Sequence, residues 1–194
     1  MAKKRVFQAS HIQKELRGKK ILSDVSLVME EGGVYCLMGP SGIGKTTLLS
    51  ILMGLMKPDK GTLAGFSGAR ISAVFQEDRL LEEENAVENV ALVCDNKADR
   101  TKAEALLSEL LPGERWEKPV GAYSGGMKRR VALCRAVAHP SDLLLLDEPF
   151  TGLDRKSREM AAAFLLRHRN GRTVLAVTHQ PEDVQLLGAE VLNL

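Results

Sequence analysis

Short apolar runs of strand length alternate along the chain with stretches that have helical periodicity. The runs at 34–38, 143–146 and 173–177 consist almost wholly of apolar residues, which is typical of strands buried on both faces. The pattern therefore predicts an α/β fold, a P-loop type of core with a mostly parallel sheet covered on both sides. Further predicted elements are helices at 45–53, 126–138 and 157–169 and short strands at 62–66 and 71–75. The last two elements, at 182–187 and 191–194, are predicted without a choice between helix and strand.

Two segments depart from this alternation. Polar and apolar residues interleave at 6–12 and 21–29, which predicts an N-terminal antiparallel β edge. The segment 77–123 is rich in glutamate and has helical periodicity at 103–111, so a small inserted helical lobe is predicted there. The chain 1–194 is thus interpreted as one domain, with an α/β core at 1–76 and 124–194 and the lobe at 77–123.

Composition and charge narrow the class of protein. The chain has 194 residues, 44% hydrophobic and 27% charged, with a net charge of +2, and a nearly neutral chain is not expected to bind nucleic acid as its main task. The basic clusters 128–130 and 167–169 are interpreted as solvated helix faces, with local contact to phosphate or a partner as the alternative. Three widely spaced cysteines predict neither a disulfide framework nor a zinc site and favour a reducing cytoplasm.

Nothing in the sequence predicts a membrane span or an export signal. The longest apolar runs are far shorter than the roughly 18 residues that a spanning helix needs. Polar residues also interrupt the segment 8–14, where a signal peptide would have its apolar region. Any membrane role is therefore expected to come through a partner.

The segment 39–46 matches the phosphate-loop motif G-x-x-x-x-G-K-[ST] between a predicted buried strand and a predicted helix. A chance match in this chain is on the order of 1%, given typical residue frequencies. Backbone N–H groups of such a loop converge on phosphates. Lys45 is expected to reach the β- and γ-phosphates, and Thr46 to place its hydroxyl on Mg²⁺. The predicted nucleotide-binding residues of this segment are Gly39, Pro40, Ser41, Gly42, Ile43, Gly44, Lys45, Thr46 and Thr47.

Two adjacent carboxylates, Asp147 and Glu148, follow the apolar run 143–146. Neighbouring residues of a strand point to opposite faces, so the two side chains are not expected to share one task. Beside a phosphate loop, Asp147 is expected to hold Mg²⁺ and Glu148 to polarise the attacking water as a general base. The plainer alternative is that two acids simply end a strand.

The helix predicted at 126–138 is preceded by a serine and two glycines. Ser124 alone is explained as a helix N-cap. The motif 124–133 lies just ahead of the acidic pair, however, and this order of motifs resembles the ATPase subunits of ATP-binding cassette (ABC) transporters. The resemblance covers nearly the whole chain. Met127 and the segment 75–81 make it most similar to the nitrate, sulfonate and taurine importer branch.

The resemblance implies roles for residues outside the phosphate loop. Gln76 matches a glutamine whose side chain meets Mg²⁺ and water, and His179 matches a switch histidine that contacts the γ-phosphate. Asp154 matches the aspartate of the family's D-loop. In the family, a signature motif closes over the nucleotide held by a second subunit. Its counterparts here are Ser124, Gly125 and Gly126.

The resemblance also implies cofactors and partners. ATP and Mg²⁺ are the expected ligands, and the expected partners are a second ATPase subunit in a two-fold head-to-tail dimer and a transmembrane permease. The chain would then be cytoplasmic and lie on the inner face of the cell membrane through the permease. Leu16 stands where the family usually has an aromatic residue that stacks on adenine, so adenine stacking is lost or supplied by another group.

Two alternatives to a transporter subunit stay open. The first is a soluble ABC ATPase that acts on DNA or ribosomes, although 77–123 has no room for a long coiled coil and the chain holds a single cassette. The second is a nucleotide-binding regulator without turnover. The presence of Lys45, Asp147, Glu148 and His179 disfavours this second alternative.

Overall fold

Within residues 4–94, 99–113 and 116–194, which the computed structural model describes, the chain forms eight β-strands and six α-helices. In chain order they are β1 (Val6–Leu16), β2 (Lys19–Glu30), β3 (Val34–Met38), α1 (Lys45–Leu52), β4 (Lys60–Ala64), β5 (Ile71–Val74), α2 (Ala86–Ala91), α3 (Arg100–Leu110), α4 (Gly125–Ala138), β6 (Leu143–Asp147), α5 (Arg155–His168), β7 (Thr173–Val177), α6 (Pro181–Leu187) and β8 (Glu190–Asn193). None of the helices in this part of the chain has the length and apolar character needed to cross a membrane.

The strands form two sheets of different type. Strands β2, β1 and β4 make an antiparallel sheet in that order, and β5, β6, β7, β3 and β8 make a parallel sheet in that order. The predicted fold class, a parallel α/β core with an N-terminal antiparallel edge, is confirmed. Strand β1 extends four residues beyond its predicted end because shifts of register between Ala9 and Glu15 break the alternation of polar and apolar residues.

Alternate residues of the parallel strands enter two separate apolar layers. In β6, Leu143 and Leu145 belong to one layer, and Leu144 and Leu146 belong to the other, because successive strand residues point to opposite faces. The first layer packs against α1 and the antiparallel sheet, and the second packs against α4, α5 and the lobe. With both faces covered, the carboxyl ends of β3 and β6 remain as the place for polar residues.

The helical lobe shares its apolar core with the sheet. Helices α2 and α3 pack against each other and against α4, and the buried Val90 and Leu107 belong to the same apolar cluster as Leu144. Helix α4 also contacts β5 and α5, so it connects the lobe to the α/β core. Residues 95–98 and 114–115 of the predicted lobe 77–123 lie outside the described residues.

The expectation that the basic clusters are solvated helix faces is wrong in part. Arg129, in the middle of the cluster 128–130, is only 5% exposed. Three consecutive residues cover about 200° of a helix surface, so on a helix with packed neighbours one of them must point inward. In the second cluster, Arg167 and His168 contact Glu109 of α3 at 2.6 and 2.8 Å, which joins α5 to the lobe.

Candidate nucleotide-binding site

The loop between β3 and α1 requires glycine at the helix start. Gly44 precedes α1 with a φ of 112°, in the left-handed region that side chains rarely adopt. A Cβ atom at this position would lie 2.7 Å from Leu22 Cδ2 and 3.0 Å from Ile21 Cγ2, so the loop lies tightly against β2. No side chain caps the N-terminus of α1. Its first backbone N–H groups are therefore not occupied by a capping side chain, and such groups at a helix N-terminus can bind phosphate.

Lys45 lies across this loop. Its Nζ donates hydrogen bonds to the carbonyl oxygens of Gly39 at 2.7 Å and Pro40 at 2.8 Å, and the residue is only 8% exposed. Among the residues that the structure describes, no carboxylate forms an ion pair with this ammonium group. A nearly buried cation without a charged partner favours an anionic ligand at the loop.

Thr46 and Asp147 are joined across the site. Thr46 Oγ1 donates to Asp147 Oδ2 at 2.9 Å, and Asp147 ends β6 at 5% exposure. Burial raises the pKa of Asp147, and the hydrogen bond from Thr46 acts in the opposite direction. A cation at this carboxylate would favour its charged form, and a hydroxyl and a carboxylate oxygen are ligands suited to Mg²⁺.

Glu148 is held by two side chains. Its Oε1 lies 3.0 Å from His179 Nδ1, and its Oε2 accepts a hydrogen bond from Thr151 Oγ1 at 2.9 Å. The backbone of Glu148 has a φ of 49°, although its N–H still donates to Val177 O at 2.9 Å. This left-handed residue directly follows the end of β6, and Asp147 and Glu148 both line the same cleft.

These groups border one cleft. Its volume is about 310 Å³, and it is open to solvent beside the loop and the end of β6. Gln76, an exposed residue two positions beyond β5, lines the same cleft. His179 lies beside the cleft through its contact with Glu148. The lining residues are Ile21, Ser41, Gly42, Gly44, Lys45, Thr46, Thr47, Gln76, Asp147 and Glu148.

The predicted signature and D-loop residues lie elsewhere on the surface. Ser124 caps α4, its Oγ accepting from Met127 N at 3.3 Å, and Asp154 caps α5, accepting from Ser157 N at 2.8 Å. These two segments touch each other, because a Cβ atom on Gly126 would lie 3.2 Å from the carbonyl oxygen of Gly152. Neither segment is among the described residues that line the cleft. Ser124, Gly125, Gly126 and Asp154 therefore do not meet the phosphate loop of their own chain.

Sequence reasoning missed three residues that shape the site. Ile21 forms the aliphatic wall of the cleft, Thr151 holds Glu148, and Arg129 contacts the backbone of Gln76. Leu16, at the end of β1, pairs with Lys19, and it is not among the described residues that line the cleft. Ile21 lies three residues beyond the turn at 17–18, and this position did not mark it as part of a cleft. Thr151 is only three residues from Glu148, but the sequence does not show that their side chains meet, and nothing in it marks Arg129 as a neighbour of the cleft.

Comparison with known proteins identifies the family. Residues 22–151 match the family described as ABC transporter. The chain is 41% identical to the aliphatic sulfonates import ATP-binding protein SsuB 1 of Rhodococcus jostii, over 92% of this chain and 74% of that protein. It is 38% identical to the taurine import ATP-binding protein TauB of Pseudomonas aeruginosa, over 95% of this chain and 76% of that protein.

A solved structure agrees with these relatives. The fold is similar to the dimeric post-hydrolysis state of the ATP-binding cassette MJ0796 bound to ADP and Pi, with a TM-score of 0.84, 27% identity, and coverage of 97% of this chain and 94% of that one. The chain belongs to the ABC transporter family. It is an ATPase of this family that binds ATP, so the resemblance inferred from the order of its motifs is confirmed.

Proposed function

We propose that this chain is the ATP-hydrolysing subunit of an importer, in which ATP closes a dimer of cassettes and a partner permease carries the substrate. The names of the similar proteins, which are sulfonate and taurine import ATP-binding proteins, support import. The proposed ATP hydrolysis is supported mainly by the cleft, in which the phosphate loop lies beside Asp147 and Glu148. In this proposal the chain lies on the cytoplasmic face of the membrane through its permease.

The phosphate loop is proposed to bind the nucleotide. Its backbone N–H groups and the Lys45 ammonium meet the phosphates. Thr46, Gln76 and Asp147 would hold Mg²⁺, which needs few protein ligands because phosphate oxygens complete its shell. When bound, this ion neutralises charge on the β- and γ-phosphate oxygens. The 2.9 Å contact between Thr46 and Asp147 supports this set, since it joins two of the three residues.

Glu148 is proposed to accept the proton of the attacking water. Its two carboxylate oxygens are held by His179 and Thr151, so the base is oriented before the substrate binds, and a base that is fixed in place needs little reorganisation. His179 lies at the same edge of the cleft, where its contact with the γ-phosphate is proposed. This chemistry is positioning and charge stabilisation without a covalent intermediate.

A second cassette is proposed to complete the site. The turn at Ser124 and Gly126 is the start of α4, a helix N-terminus suited to an anion, and it adjoins the loop that ends at Asp154. Because this surface is separate from the chain's own cleft, a two-fold dimer can bring it to the nucleotide of the partner. The dimeric MJ0796 cassette supports this arrangement.

A groove between β5 and α4 is proposed to receive the permease. It has a volume of about 250 Å³ and a mixed lining that includes Phe75, Val93 and His139. Arg79 stacks its guanidinium 3.8 Å from the Phe75 ring centroid at the rim. A short amphipathic helix with one charged side is the kind of segment that fits such a groove.

We expect Arg79→Glu to leave ATP binding intact and to reduce co-purification with the permease severalfold. Charge reversal places a carboxylate at the rim beside Phe75, where a helix must dock. The control is Lys57→Glu, which reverses a charge on an exposed residue after α1, away from the groove. Both variants would be measured for ATP affinity and for recovery from membranes that carry the permease. Equal recovery of both variants would show that the permease binds at another surface. Recovery of DNA or ribosomes in place of the permease would favour a soluble ABC ATPase that acts on them.

We expect ATP and GTP to bind this chain with affinities within about fivefold of each other. The aliphatic Ile21 and Leu16 forgo aromatic stacking of about 1 kcal/mol, which corresponds to roughly fivefold in affinity. Titration with both nucleotides would measure this, and Leu16→Tyr should raise ATP affinity by a similar factor. Leu55→Tyr, a change at an exposed leucine elsewhere, is the control. A strong preference of the wild type for ATP would show that another group recognises the base.

A further inference from the structure

Arg129 of α4 binds the backbone of the segment that carries Gln76. Its Nη1 donates to Phe75 O at 2.7 Å, and its Nη2 donates to Gln76 O at 2.6 Å. Nη1 also lies 3.1 Å from Asp78 Oδ1, an ion pair by distance that lacks hydrogen-bond geometry. The Arg129 side chain is only 6% exposed. One guanidinium group therefore contacts three of the four residues 75–78 that directly follow β5.

Other side chains fasten the rest of this segment. Arg135, six residues further along α4, donates to the carbonyl oxygens of Asp78 and Arg79, both at 2.8 Å. The buried Asn89 of α2 binds both the N–H and the carbonyl oxygen of Leu81, at 2.8 and 3.0 Å. The segment after β5 thus takes its hydrogen bonds from the helices beside it, so its path depends on α4 and α2.

The chemistry at Gln76 specifically needs an arginine. A guanidinium group presents two N–H donors in a fixed planar fork, which suits two successive carbonyl oxygens, whereas a lysine ammonium is a single point of contact. Gln76 lines the nucleotide cleft, and Arg129 holds the backbone carbonyl oxygen of this residue. Movement of that backbone would carry the amide away from the cleft.

We propose that Arg129 is a positioning residue that fixes Gln76 at the nucleotide cleft and ties the cleft to α4, the helix that begins at the signature turn. The inference rests on the proposed contact of Gln76 with Mg²⁺. It makes α4 the link between a chain's own nucleotide and the surface offered to the second subunit, because the same helix begins at Ser124 and holds Gln76 through Arg129. A shift of either end would be transmitted to the other.

The test compares Arg129→Lys, Gln76→Ala and the double variant. Arg129→Lys is expected to lower ATP turnover by about 10- to 100-fold, the scale of a small misplacement of a catalytic group. Affinity for a fluorescent ATP analogue would be measured with Mg²⁺ and with a chelator. In both single variants, Mg²⁺ should no longer raise the affinity for the nucleotide, and the affinity without Mg²⁺ should equal that of the wild type. The double variant should bind the nucleotide as tightly as Gln76→Ala alone.

The control is Arg172→Lys. Arg172 is 8% exposed and, away from the cleft, donates to backbone carbonyl oxygens of Val137, His139 and Arg169. This variant should have a lower melting temperature, and Mg²⁺ should raise its nucleotide affinity as much as in the wild type. The same behaviour in Arg129→Lys would show that Arg129 is merely structural and overturn the inference, as would additive losses in the double variant. A wild-type response of Gln76→Ala would instead refute the role of Gln76 itself. If Arg129→Lys does not fold, Arg129→Gln replaces it.

Discussion

Replacing Glu148 with glutamine is expected to stop ATP hydrolysis while ATP still binds. The amide cannot accept the proton of the attacking water, and general-base help of this kind is worth about 10²- to 10⁴-fold in rate. Glutamine has nearly the same shape and keeps an oxygen for the hydrogen bond from Thr151, so the cleft should be preserved. Phosphate release and retained nucleotide would be measured on the same preparation.

Glu159→Gln is the matched control for this change. Glu159 is half exposed on α5, where it pairs with Arg155, and its loss should leave turnover at the wild-type level. If Glu148→Gln hydrolyses ATP at the wild-type rate, Glu148 is not the general base. Loss of ATP binding by that variant would mean that the carboxylate is needed for the site itself.

Replacing Lys45 with alanine is expected to fail at an earlier step, the binding of nucleotide. The variant loses a hydrogen bond to a charged phosphate, which is worth about 1.5 to 3 kcal/mol, or roughly 10- to 150-fold in affinity. Calorimetric titration with ATP would measure this loss, and Lys57→Ala, at an exposed position beyond α1, is the control.

Two results would contradict the role of Lys45. Wild-type affinity in Lys45→Ala would show that the backbone N–H groups alone hold the phosphates. A drop in melting temperature large enough to explain the loss would point to its hydrogen bonds with Gly39 and Pro40 as the main contribution. The two variants therefore separate binding from chemistry, since only Glu148→Gln should retain ATP.

Contiguous features of this fold were predictable from the sequence. The phosphate loop is a single run between a strand and a helix, and the strand 143–147 is buried on both faces, so each leaves a local pattern. The alternation of strands and helices fixed the parallel sheet for the same reason. The order of motifs then identified the family without knowledge of distances in space.

Contacts between distant parts of the chain were not predictable in this way. The hydrogen bonds from Arg129 to Phe75 and Gln76 join residues more than 50 positions apart. The sequence also does not show which arginine of a basic cluster is buried. Thr151 is close to Glu148 in sequence, but its contact depends on the left-handed φ of Glu148. Helix α2 was not predicted as a separate element because it has only six residues, although it lies within the segment 77–123 that was predicted to be a helical lobe.

The mass of the Glu148→Gln protein with and without Mg-ATP is the most direct test of whether ATP closes a dimer of these cassettes. Light scattering after size exclusion should give one chain of 21.2 kDa without nucleotide and twice that mass with Mg-ATP, with two ATP retained per dimer. The double variant Lys45→Ala, Glu148→Gln should stay at the mass of one chain in both conditions. A Glu148→Gln protein that binds ATP and remains a single chain would contradict the proposal that ATP closes a dimer of these cassettes.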